Sequence, residues 1–126
     1  MLADSVPKLN LKTERPDLVV AWFKERAFDA VNLREATDKM VWSGLEKKPL
    51  EILEAVEDAR RGVTYLIALA SYAAEAGSVE WSENERYQSV STAVVEGSKS
   101  MASDLSYIVS LEKLVQKLIA STHVAI

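Results

Sequence analysis

The sequence predicts an all-α fold, an antiparallel bundle of three long helices behind a flexible N-terminal arm. Three observations lead there. Glycine and proline number only four and three in 126 residues and mostly punctuate longer segments, which leaves few of the turns that short strands need. Apolar residues recur at helical rather than alternating spacing. The length, with 48% hydrophobic residues and no cysteine, suits one domain whose core needs no disulfide.

The arm, Met1 to Lys12, has no sustained period, and its Val6-Pro7 step disfavours helix. The bundle domain is then 13–126. The first helix should open between Thr13 and Pro16, where proline costs no hydrogen bond and Asp17 faces the positive helix end. It should run to Ser43 and stop at Gly44. Val19, Trp22, Phe23, Ala30, Leu33, Met40 and Val41 share one stripe, and Val20, Ala27, Val31 and Trp42 a second, so this helix has two neighbours. Arg26 lies within the first stripe. Its stem either packs with the guanidinium reaching the rim or pairs with an acid on another helix.

Pro49 opens the second helix, expected to reach Glu75 or Ala76 and to stop at Gly77. Its face of Ile52, Ala55, Val56, Ala59, Val63, Leu66, Ala70 and Ala73 is built from small residues that allow close helix approach. The third helix should start at a capping box, Ser82-Glu83-Asn84-Glu85. From Tyr87 a 3-4 spacing runs through Val90, Val94, Gly97, Met101, Asp104, Ile108, Leu111, Val115, Leu118 and Thr122. That predicts a helix of about 40 residues, roughly 60 Å long, outreaching the other two. Gly97 and Asp104 interrupt its apolar seam, and something should compensate for each. Either the helix breaks near Gly97 and the bundle has four helices, or small residues there admit a partner backbone.

Chemistry is constrained by what is scarce. A thiol nucleophile is excluded, and a Ser-His-acid triad would have to use His123, four residues from the end given. One histidine cannot supply a common zinc set or the paired Glu-x-x-His of di-iron bundles. No glycine-rich phosphate loop is present. The acids Glu51, Glu54, Glu57 and Asp58 line one helical face, which reads as a solvated acidic surface and, at most, a weak divalent-ion site. No enzyme, cofactor or structural metal is therefore expected.

The formal charge is −4, the wrong sign for direct nucleic-acid binding. Residues 49–81 are the acidic part, with two basic and six acidic side chains. The apolar run Gly62 to Ala74 is too short for the roughly 20 residues of a membrane crossing. With no signal-peptide pattern at the start, a cytoplasmic protein is expected.

These exclusions favour a non-enzymatic protein-protein interaction module, a small oligomeric regulator or inhibitor that docks on a partner protein. A homodimer is expected through Met101, Asp104, Ile108, Leu111, Val115 and Leu118, because two overhanging third helices would cover what one chain leaves bare. Phe28 and Trp42 lie off the first helix's main stripe and Tyr107 off the third helix's seam. They are candidates for a partner surface, as are Glu51, Glu54, Glu57 and Asp58, which would steer a basic partner. The alternative is a bundle enclosing a small apolar ligand between the first two helices, with Arg26 holding a carboxylate.

Overall fold

The computed structural model describes residues 16–83 and 88–124, with side-chain surroundings for 16–75 and 88–121. The arm, Asn84 to Tyr87 and the last two residues lie outside the described residues, as does the environment of Trp81. Three helices pack against one another: α1 (Pro16–Gly44), α2 (Pro49–Glu83) and α3 (Gln88–Val124). The all-α three-helix bundle predicted from the sequence is the observed fold.

α1 opens at Pro16 with Asp17 in its first turn. It ends at Gly44 without a left-handed residue, since no described residue has positive φ. The reversal is made by hydrogen bonds instead: the Gly44 carbonyl accepts from the Lys47 and Lys48 amides at 3.1 and 3.0 Å. Lys48, held away from helix by Pro49, offers its own carbonyl to the Ile52 amide at 3.0 Å, which starts α2. Gly44 also gives room. A β-carbon there would lie 3.0 Å from Ile52 Cδ1, so the missing side chain lets the first turn of α2 fold back closely.

α2 overruns its expected stop. It passes through Gly77 to Glu83 and is 35 residues long, because one glycine costs only about 1 kcal/mol in a helix and no proline or left-handed turn accompanies it. Ser82 and Glu83 consequently belong to the end of α2, whereas the capping-box reading made them the start of the third helix. The rest of that box lies outside the described residues. At about 52 Å, α2 nearly matches the 37-residue, about 55 Å α3. The expectation that the third helix overhangs both its neighbours is corrected: α3 outruns α1 alone.

α3 is continuous through Gly97, so the break there that would have given a fourth helix does not occur. The backbone that approaches the glycine is the chain's own. A β-carbon on Gly97 would sit 3.8 Å from Ala27 Cβ and 4.0 Å from the Phe23 carbonyl oxygen. Ala27 faces Gly97, Arg34 meets Asp104 and Asp38 meets Tyr107. This near-constant offset of about 70 residues shows that α1 and α3 run parallel. α2 runs against both: Gly62 faces Leu33 and Gly44 faces Ile52, while Arg60 meets Glu112.

The core is rich in valine and alanine. Val19, Val41, Val56, Val63, Val90 and Val115 are fully buried, joined by Phe23, Met101, Ile108 and Leu111 and by Ala30, Ala59, Ala70 and Ala73. Small side chains on all three helices allow close axial approach. Among the described residues the buried polar ones are Thr37, whose hydroxyl donates to the Leu33 carbonyl at 2.6 Å, and Asp104. No described helix is long and apolar enough to cross a membrane.

Candidate functional site

The third-helix seam does not face a second copy. Met101, Asp104, Ile108, Leu111 and Val115 are buried against the chain's own α1 and α2, and of the predicted interface only Leu118 is exposed. The 3-4 spacing was a correct sign of an apolar seam, but α1 and α2 together cover it. This withdraws the homodimer contact drawn along those five residues.

Asp104 is compensated by a residue that sequence reading passed over. Its Oδ1 accepts from Arg34 Nε at 2.6 Å, an ion pair between α1 and α3 in which the carboxylate side is almost fully buried. Asp104 Oδ2 is buried and has no hydrogen-bond partner. A second pair, Arg60 Nε to Glu112 at 2.9 Å, ties α2 to α3. Arg26 takes neither of its expected roles in full. It stays half-buried on α1, bonding Asp29 at 3.2 Å and Glu25 at 3.1 Å, with its guanidinium 5.4 Å from the Trp22 ring centre.

One turn beyond the Arg34–Asp104 pair, Asp38 collects two aromatic donors. Its Oδ1 accepts from Trp42 Nε1 at 3.0 Å and from the Tyr107 hydroxyl, so α1 and α3 are joined through a carboxylate with a ring on either side. The hydrogen bond to Asp38 raises the Tyr107 pKa above its ordinary 10.0, because the carboxylate accepts the phenol proton and repels a phenolate. Trp42 nevertheless keeps 62% of its surface exposed and Tyr107 keeps 37%. Two of the three aromatic candidates thus meet at one place. Phe28 is 61% exposed on the same helix as Trp42 but has no ring contact to this pair.

The apolar exposure continues along α3. Leu114 and Leu118, 39% and 37% exposed, follow Tyr107 at seven and eleven residues, on the side of α3 that Asp104 and Tyr107 turn toward α1. Sequence reading found Tyr107 because it lies off the seam. It missed Leu114, which carried the same signal, and Asp38, whose role depends on the α1–α3 register.

The acidic set on α2 is partly neutralised locally. Glu51 pairs with Lys48 at 3.8 Å and Asp58 with Arg61 at 2.8 Å, both three residues apart. Glu54 is exposed and Glu57 half-buried. Among the described residues no three His, Cys, Asp or Glu side chains gather as a metal site. His123 lies in the last turns of α3, its side chain outside those described.

Between α1 and α2 an open concavity of about 260 Å³ is floored by Leu33, Met40, Ala55 and Ala59. Its charged wall is Asp58. Arg26, occupied by Asp29 and Glu25, does not line it. The space falls just below the usual range for small-molecule sites, and its charge has the wrong sign for a carboxylate. Comparison of the chain with protein-family models, curated proteins and solved structures finds no match.

Proposed function

We propose that this chain is a non-enzymatic protein-interaction module, a small cytoplasmic regulator or inhibitor that acts by docking on a partner protein through the α1/α3 face. The observation that carries this reading is the Trp42–Asp38–Tyr107 cluster. Two aromatic side chains are fixed by a shared carboxylate, so their ordering is already achieved before a partner arrives, while most of the Trp42 surface stays in water. Large, pre-ordered aromatic surface is what anchors protein interfaces. The lack of cysteine and the single histidine support a role without turnover.

The homodimer expected from the sequence has lost its seam to the core, so a second copy is a competing occupant of the same face, not the basis of the reading. The test compares proteins captured from the native host by the wild-type chain and by Trp42→Ala. A partner retained by the wild type should fall at least about tenfold with Trp42→Ala, the loss typical of an interface anchor. It should be unchanged by Ser71→Ala, an exposed control on α2. Equal capture by wild type and Trp42→Ala would remove the face from consideration.

A further inference from the structure

We infer that the strip from Trp42 and Tyr107 through Leu114 to Leu118 seats one amphipathic helix of a partner protein, and that the polar flank of this helix is acidic. This narrows the docking reading above and rests on it.

The seat follows from where α1 ends. By the α1–α3 offset, Gly44 stands level with about residue 114 of α3. α3 continues to Val124, roughly 15 Å further, flanked there by the first turns of α2. Leu114 and Leu118 are exposed on the side from which α1 has departed. From Tyr107 to Leu118 the strip is about 16 Å long, three helical turns. Its anchors lie seven and four residues apart, the spacing that a helix laid alongside would match with its own apolar face.

Charge decides what kind of helix. Between Tyr107 and Ser121 the exposed charged side chains are Lys113 and Lys117, next to Leu114 and Leu118, and neither forms an ion pair among the described residues. The one acid in that stretch, Glu112, points to Arg60 on α2 with its side chain largely buried. A chain of net charge −4 therefore presents a positive edge beside its apolar strip. Acidic residues flanking the partner's apolar face would meet these lysines.

Two other occupants fit less well. A second copy set antiparallel by a two-fold axis across α3 leaves both lysine edges on the same side, Lys against Lys. The chain's own arm carries Lys8 and Lys12 against Asp4, the same sign as the strip. It also joins α1 at Pro16, about 39 Å from Trp42 along that helix.

The experiment uses two synthetic peptides of about five helical turns with the same leucine stripe, flanked by glutamate in one and by lysine in the other. Each is titrated into the full chain by calorimetry at low and high salt. The glutamate peptide should bind at least about tenfold more tightly, with the difference shrinking as salt rises. Lys113→Glu/Lys117→Glu should reverse the preference, and Leu114→Asp should weaken both peptides. Circular-dichroism melting of each variant shows that the fold is kept.

Binding of neither peptide, equal binding, a preference for the lysine peptide, or a preference that the charge reversal does not move would overturn the acidic-helix assignment. So would a dimer mass in native mass spectrometry that disappears with Leu114→Asp, which would give the strip to a second copy. None of these results touches the Trp42-dependent capture of a natural partner. The docking reading therefore fails or survives by a separate measurement.

Discussion

Asp104 holds a seam position where an apolar side chain would pack, and the Arg34–Asp104 pair makes it tolerable. With Asp104 only 5% exposed, removing the arginine strands a buried charge, whereas replacing both partners by apolar groups need not be costly. Arg34→Ala should therefore lower stability by about 2–3 kcal/mol, and Arg34→Met/Asp104→Leu should recover most of it, measured as a double-mutant cycle in urea. An Arg34→Ala midpoint equal to wild type would show that the pair is dispensable. The Tyr107–Asp38 bond makes a pH prediction. A pKa raised in the folded state means that its stabilisation is complete below the unfolded tyrosine value of 10.0 and is lost as pH rises above that value through the raised pKa. Tyrosinate absorbance of the folded chain should contain a late-titrating component from Tyr107, and Asp38→Asn should bring it back toward the ordinary range.

The helices show how local signals compete. Proline at 49 marked a true start, since its missing N–H is harmless only there. Glycine proved a weaker stop: Gly44 coincides with an end because Pro49 and the turn hydrogen bonds finish it, whereas α2 and α3 pass through Gly77 and Gly97. The Ser82-Glu83-Asn84-Glu85 pattern caps a helix only if the chain has left helix by Ser82, and α2 has not. Gly97 is thus a tolerated defect with ordinary van der Waals room around it. Gly97→Ala should stabilise the fold by roughly 0.5–1 kcal/mol, seen as a higher melting temperature. A destabilised variant would mean that the α1 backbone packs more tightly on α3 than these distances allow.

Across the molecule, the same 3-4 spacing serves two purposes that burial separates. Leu111 is enclosed by the bundle and Leu118 is exposed beyond the end of α1. An uncompensated charge at the first site should exceed what a fold stable by about 5–15 kcal/mol can easily tolerate. Leu111→Asp should therefore unfold or strongly destabilise the chain, while Leu118→Asp should keep a wild-type circular-dichroism spectrum. Similar melting curves for the two variants would contradict the burial difference on which the docking strip depends.

Helix content, the proline-marked start of the second helix, the apolar seam of the third helix and the exposed character of Phe28, Trp42 and Tyr107 were legible along the chain, because each follows from periodicity or from the backbone limits of a single residue. Whether that seam met a second copy or the chain's own helices was not. Arg34, Asp38 and Leu114 were likewise ordinary residues until α1 and α3 aligned in parallel some 70 residues apart. That alignment is a collective result of packing three helices of unequal length, and no local pattern encodes it. Where α1 ends against a longer α3 is the feature that turns a buried apolar edge into an open one.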